Sequence, residues 1–295
     1  MDRKYKYKNI GIIGQGYVGS AIKHVINESF NVSTYDKFIK EKSTHHVLKE
    51  LVYDSDIIFL CLPTPMNEDG TCHTDIVEET LTQINSCVNK ESQKKIVVIK
   101  STVPPGTSQK LQTINNNIDI IYNPEFLREA SFIEDFRNQK FIILGGSEEV
   151  CANLSAFYKS LFNKIKIIVT NYSTAEMTKN LINTFLATKV SFANEMKLLC
   201  DQIGIEFSDV IDIAKNDDRI GSSHWDVPGH DGKLGFGGSC FPKDIQSMVR
   251  FADSLNIDAN VLKAAIKTNH KVRPEKDWEN LTNRAVLAKK NSNDL

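Results

Sequence analysis

Gly235-Phe236-Gly237-Gly238-Ser239-Cys240-Phe241-Pro242-Lys243-Asp244 gathers a thiol, an ammonium, a carboxylate and three glycines into one short stretch. Pro242 suits the first turn of a helix, so Cys240 is expected at or just before a helix N-terminus. The positive end of a helix favours thiolate over thiol. Lys243 adds positive charge, Asp244 offers a proton acceptor, and the glycines let backbone approach a ligand closely. Together these residues read as a nucleophile in a prepared loop. The alternative, a structural cysteine, would want apolar neighbours and no such loop.

Other polar groups could serve the same chemistry. Lys179 and Asn183 stand four apart in a helical pattern and so share a face. A lysine can hydrogen-bond a developing alkoxide and an asparagine can fix a water; an exposed surface pair is the plain alternative. Asn123-Pro124-Glu125-Phe126-Leu127-Arg128-Glu129 carries two carboxylates that one side of a turn or short helix could present, to hold water or move protons. Ser101 and Thr102 follow an apolar run, as either site hydroxyls or turn and cap residues. The six cysteines include no C-x-x-C pair and the seven histidines no H-x-x-x-H pair, so no metal site is expected. His45-His46 sits in a polar stretch expected to be helical and solvated.

The elements that must position these groups are legible. Strands are expected at 8–13, 31–35, 56–60, 95–99, 118–122, 141–144 and 165–169, and helices at 75–88 and 148–161. Their alternation is the mark of a parallel α/β sheet. The first strand ends in Gly14-Gln15-Gly16-Tyr17-Val18-Gly19, a helix follows, and Asp36 closes the second strand 22 residues after Gly14. That is the full setting of a dinucleotide site. Gly14 permits the tight turn, Gly16 admits the pyrophosphate, Gly19 allows close helix–strand packing, and the helix N-terminus stabilises phosphate charge. Asp36 would accept from ribose hydroxyls and repel a 2′-phosphate, so NAD is expected rather than NADP. Pro63 and Pro65 stiffen a loop that holds Thr64 at the end of the third strand, where such sheets bind ligands. From 173 to 203 one long helix is expected, with apolar Leu181, Phe185, Phe192, Met196 and Leu199 at helical spacing. Helices at 208–215 and 245–255, and one from near 258 interrupted by Pro274, follow, then a polar, fraying end. The fold expected is α/β: an N-terminal Rossmann-type parallel sheet (1–170), then an all-helical domain (171–295) entered by a long connecting helix.

The chain has 295 residues, 41% hydrophobic and 25% charged, with a formal net charge of −1. That suits a soluble globular protein and argues against a nucleic-acid binder, which needs a strong basic excess. The basic N-terminus leads into a strand rather than a signal peptide. No apolar run reaches membrane-spanning length. Reduced thiols in the cytoplasm are the simplest reading.

The motifs at Gly14–Gly19, Pro63-Thr64-Pro65, Ser101-Thr102-Val103-Pro104, Asn123–Glu129, Lys179-x-x-x-Asn183, Arg219-Ile220-Gly221 and Gly235–Asp244 resemble, in order and along nearly the whole chain, the UDP-glucose/GDP-mannose dehydrogenase family. The resemblance implies a four-electron, NAD-dependent oxidation of a nucleotide sugar, UDP-glucose foremost, through a Cys240 thiohemiacetal and thioester. It makes Lys179 the oxyanion partner. Asn183 and Asp244 handle water and protons, and Glu125 and Thr102 serve hydrolysis. Gly14, Gly16, Tyr17, Val18, Gly19, Asp36, Thr64, Pro65, Ser101, Thr102, Glu129 and Lys243 fall on cofactor positions. Glu125, Phe126, Leu127, Glu129, Lys179, Asn183, Arg219, Phe236 and Gly237 fall on substrate positions. Arg219 would reach the partner subunit's site, which implies a homodimer. Nothing after Pro274 resembles the family's C-terminal nucleotide-binding domain. Two other readings stay open at this level: a family remnant that binds NAD without turnover or needs a partner chain, and a two-electron β-hydroxyacid-type dehydrogenase with no use for Cys240.

Overall fold

The computed structural model describes residues 7–89 and 93–288; the basic residues 1–6 and the polar end from 289 onward lie outside them. The chain divides into two compact units, residues 1–64 with 74–179, and residues 65–73 with 180–295. The division falls inside the long helix, after Lys179. It also gives the stretch 65–73 to the second unit, which sequence periodicity did not indicate.

The first unit is built on β1 (Asn9–Ile13), β2 (Asn31–Tyr35), β3 (Ile57–Leu60), β4 (Lys95–Ile99), β5 (Ile118–Tyr122), β6 (Phe141–Gly145) and β7 (Lys166–Thr170). They form one sheet in the order β2-β1-β3-β4-β5-β6-β7. Five strands are parallel; β6 meets β5 antiparallel, and β7 runs parallel to β6. The parallel sheet expected from alternation is thus present, with one antiparallel pairing toward the β7 edge. Helices α1 (Tyr17–Ile26), α2 (Leu48–Asp54), α3 (Asp75–Cys87), α4 (Thr107–Ile114), α5 (Phe132–Arg137) and α6 (Glu148–Leu161) cover the two faces. Strand β3, and β4 after its first residue Lys95, are apolar and buried because both faces are covered. One core holds Ile58, Leu60, Val97 and Leu81; the other holds Ile10, Ile57, Phe59 and Phe157. The order reverses between β1 and β3, so a ligand crevice is expected at their carboxyl ends.

The short helices α2, α4 and α5 carry weak periodicity. Helix α4 begins at Gly106, a left-handed residue with φ 92°, after two prolines. Its first amides are bonded not by a local cap but by buried Glu176, which accepts from Gly106 N at 2.6 Å and Ser108 N at 2.7 Å. His45 and His46 precede α2 rather than lying in a helix; the His45 ring bridges the Thr44 hydroxyl and the Asp54 carboxylate.

Helix α7 (Tyr172–Ile203) is 32 residues long and enters the second unit. There it is joined by α8 (Phe207–Ala214), α9 (Phe241–Ser254) and α10 (Asn260–Val272). Helix α9 starts four residues before the expected 245, directly after Cys240. Ala187, Phe236, Ile245 and Ala265 form one small core of this unit, and Ala193, Cys200, Phe207 and Trp225 belong to another. It is not purely helical, since Met66 makes bridges to Cys72 and Val286. Of the apolar residues at helical spacing on α7, Leu181, Phe185, Phe192 and Leu199 are exposed, while Met196 is partly buried.

Candidate active site

At the β1–β3 crest the glycines divide by role. A Cβ on Gly14, which has φ 91°, would lie 2.3 Å from the Cys61 carbonyl oxygen, and one on Gly19 would lie 1.9 Å from the Gly14 oxygen. Both glycines are therefore demanded by the fold itself. A Cβ on Gly16 would meet nothing within 4 Å. The turn is open at that residue, and Gly16 gives α1 no side-chain cap. Uncapped N–H groups beside open space fit a pyrophosphate. Tyr17 and Val18 fill the first turn of α1, half-buried.

Asp36 is buried beside that turn. Its carboxylate accepts from Gln15 N at 2.7 Å and from Phe38 N and Ile39 N at 2.8 Å. Burial works to raise this carboxyl, but these backbone donors, with Lys40 nearby, outweigh it and hold the group below the ordinary aspartate value. An ionised Asp36 next to Gly16 suits ribose hydroxyls and opposes a 2′-phosphate. These residues therefore fit NAD.

The next strand ends are tied together by hydroxyls. Ser101 Oγ donates to the Leu62 carbonyl at 2.7 Å and Thr64 Oγ1 to the Thr102 carbonyl at 2.8 Å. Lys179, buried, donates from Nζ to the Glu125 backbone carbonyl at 2.6 Å and lies 3.9 Å from its carboxylate. Glu125 accepts from Leu127 N at 2.6 Å, and the Lys179 ammonium lies 5.1 Å from the Phe126 ring centre. The lysine is thus a buried cation held by carbonyl, carboxylate and ring, not the surface lysine that its spacing alone allowed. Glu125 and Glu129 do not share a helix: Glu125 is buried in an irregular segment, and Glu129 is exposed at the start of a 3₁₀ turn.

Below them lies a group with no role read from the sequence. Buried Lys100 donates to Asn123 Oδ1 at 3.0 Å, which also accepts from Tyr158 OH. Burial pushes the Lys100 ammonium down to about 8, with Glu125 and Cys61 opposing that and Lys179 adding to it. Burial likewise pushes the Cys61 thiol up to about 12. The sign follows from proton counts. From about pH 8 the native lysine sheds a proton that the unfolded lysine keeps, so stability rises with pH; once ordinary thiols ionise near pH 9, Cys61 works the other way. Urea unfolding should therefore show the wild type gaining roughly 1 kcal/mol on Lys100→Met between about pH 7.5 and 9. An unchanged difference between the two proteins across that window would contradict the assignment.

In the second unit Cys240 is the N-cap residue of α9, with Pro242 in its first turn. The thiol is half-buried and lies 3.8 Å from Ser239 Oγ. Lys243 Nζ donates to Asp244 Oδ1 at 2.5 Å, and Asn183 Nδ2 donates to Asp244 Oδ2 at 2.6 Å, all three side chains being buried. Burial alone would lower the Lys243 ammonium; Asp244, Cys72 and Cys240 more than offset it and hold it above the ordinary lysine value. Asn183, Lys243 and Asp244 are thus brought together one turn from the thiol. Pro65 belongs to this unit. Phe236 is buried in its core, so its ring is packing rather than surface, and Gly237 adjoins the Arg273 guanidinium. Arg219 is exposed, held by Asp217. The turn behind it is fixed by buried Lys189, which donates to the carbonyls of Ile220 and Gly221. Among the described residues no cluster of three or more His, Cys, Asp or Glu could hold a metal, and no helix is long and apolar enough to cross a membrane.

Residues 36–166 match the family model described as the NAD binding domain of the UDP-glucose/GDP-mannose dehydrogenase family, and residues 173–271 match its central domain. A UDP-glucose 6-dehydrogenase of Rickettsia typhi is 34% identical over 301 residues, covering 90% of this chain and 67% of the relative. That of Rickettsia prowazekii is 34% identical over 288 residues, covering 90% and 64%. The chain thus spans about two thirds of the length of these relatives. The structure of a UDP-glucose dehydrogenase from Pyrobaculum islandicum superposes with a TM-score of 0.83 at 29% identity, over 92% of this chain and 70% of that one.

Proposed function

The chain belongs to the UDP-glucose/GDP-mannose dehydrogenase family, and from that premise we propose that it oxidises the C6 hydroxymethyl of a nucleotide sugar, UDP-glucose first, to a carboxylate through a thioester on Cys240. The observation that carries this reading is the thiol at the N-terminus of α9, followed by a buried Lys243–Asp244–Asn183 network. NAD⁺ on the Gly14–Gly19 turn and Asp36 supplies the hydride acceptor, one molecule for each two-electron oxidation.

The chain's own residues do the rest. As the alcohol loses hydride and proton, Lys179 donates to the oxygen on which charge develops. The Cys240 sulfur bonds the aldehyde carbon and the carbonyl oxygen takes up a proton, giving a thiohemiacetal that retains the aldehyde. Loss of a second hydride from carbon and a proton from oxygen leaves a thioester. Water adds to that carbon, the C–S bond breaks, and the sulfur leaves as thiolate. Asp244 and Asn183 order water and pass protons, and Glu125 activates the attacking water. This chemistry needs a thiol that stays reduced, so the proposal places the chain in a reducing compartment.

NADH release measured across UDP-glucose, UDP-N-acetylmannosamine and GDP-mannose tests the substrate. The greatest kcat/KM is expected with UDP-glucose; release with none of the three would contradict the reading.

The proposal includes a homodimer. Leu181, Phe185, Phe192, Leu199 and Ile203 of α7 and Ile213 of α8 expose apolar surface of the kind that a second copy covers. Exposed Arg219 would then serve the partner's substrate. Sedimentation equilibrium at micromolar concentration should give twice the chain mass, and a single chain mass would contradict it.

A further inference from the structure

The glycine-rich stretch before Cys240 is held by side chains outside the motif. Gly235 N donates to Asn194 Oδ1 at 2.9 Å. Asn269, on α10, reads both sides of the next residue: Phe236 N donates to its Oδ1 at 2.7 Å, and its Nδ2 donates to Phe236 O at 3.0 Å. One turn on, the Arg273 guanidinium donates to Asp231 Oδ2 at 2.8 Å, to Asp277 Oδ1 at 2.9 Å and Oδ2 at 2.7 Å, and to the Leu234 carbonyl at 3.4 Å. Asn269 is 1% exposed and Arg273 2% exposed, so both form the wall against which the loop is cast.

The same two residues explain two of the glycines. A Cβ on Gly235 would lie 2.3 Å from Asn269 Oδ1, and a Cβ on Gly237 would lie 2.5 Å from the Arg273 guanidinium. Gly235 also has φ 67°, a conformation that side chains disfavour. These glycines are required by Asn269 on α10 and by Arg273, the residue that caps it, whereas Gly238 has open space where its Cβ would be. A loop so rich in glycine is floppy by composition. Two buried, hydrogen-bonded side chains remove that freedom before any ligand arrives, which is what preorganisation requires.

We propose that Asn269 and Arg273 are positioning residues: they fix the Leu234–Gly237 backbone and so set the placement of the Cys240 thiol three residues later. The proposal rests on the Cys240 reading above for its effect on turnover. Its structural half, the clamp, stands on the geometry alone.

The test uses the full chain with Asn269→Ala, Arg273→Ala and Arg273→Lys, and the cycle of Gly237→Ala with Arg273→Ala. Deuterium uptake at residues 234–238 should accelerate by about 10-fold in Asn269→Ala and Arg273→Ala, while β1 and β3 amides keep their protection. Turnover should fall by about 100-fold in kcat with the KM for NAD unchanged, and Arg273→Lys should restore only part of it. Gly237→Ala should be severe alone and nearly neutral beside Arg273→Ala, because the atom it strikes is gone. That non-additivity reports the contact itself; the fall in kcat at unchanged KM for NAD is the readout that a merely structural role would not move. Unchanged uptake in folded Asn269→Ala, or kcat within about 2-fold of wild type in both α10 variants, overturns the proposal. Should Arg273→Ala fail to fold, Arg273→Lys and Asn269→Ala decide by the same readouts. If the parent chain oxidises no nucleotide sugar, the function reading fails, and deuterium uptake alone decides the clamp.

Discussion

Cys240→Ala loses net oxidation of the sugar to the acid, with kcat for carboxylate formation lower by roughly 10³-fold or more, while NAD binding is unchanged. The size of the effect follows from what the thiol does. Without it the aldehyde has no sulfur to bond, so no thiohemiacetal presents a hydride for the second oxidation. Any remaining activity stops at the aldehyde or depends on its hydrate. Cofactor affinity is spared because Gly14, Gly16 and Asp36 belong to the first unit, whose core is built without α9. Titration of NAD against the variant, alongside mass analysis of the sugar product, checks both halves. Acid formation at the wild-type rate would remove Cys240 from the chemistry and favour a two-electron dehydrogenase.

Asp244→Ala should cost about 3–5 kcal/mol of stability, more than any ordinary surface change. Asp244 holds two donors at once, the Lys243 ammonium and the Asn183 amide, and its side chain is 3% exposed. Removing it leaves a buried cation without its counter-charge and a buried amide without its acceptor. The cost exceeds what the ion pair itself contributes, because desolvation of Lys243 is no longer offset. Asp244→Ala/Lys243→Met should recover much of the loss, since the stranded charge is gone. Urea unfolding of the four proteins measures the cycle. A single variant within about 0.5 kcal/mol of wild type would contradict this account of the network.

The sheet was legible in the sequence because its strands are covered on both faces, so short apolar runs bounded by polar residues mark them closely. Gly14 to Gly19 and Asp36 were legible because a phosphate turn imposes residue types at fixed spacing. What failed to show has physical reasons too. The reversal of β6 depends on how 123–140 packs, which leaves no periodic trace. Helix α4 takes its cap from Glu176, about 70 residues away in sequence. The residues Leu181, Phe185 and Phe192 show helical spacing, but apolar periodicity cannot tell a core face from an exposed one. Glu125 and Glu129 share helical spacing without sharing a helix, since Glu125 lies in irregular backbone, where its own carboxylate accepts from Leu127 N, and the 3₁₀ turn starts only at Glu129. Asn269 and Arg273 act through bonds to backbone 33 and 39 residues away, which no local pattern announces.

The central claim, a four-electron oxidation through Cys240, is met most directly by counting NADH released per UDP-glucose consumed by the unaltered chain, with excess NAD⁺ and the sugar limiting. The account predicts two NADH for each sugar and UDP-glucuronate as the product. One NADH for each sugar, with aldehyde as the end product, would contradict it.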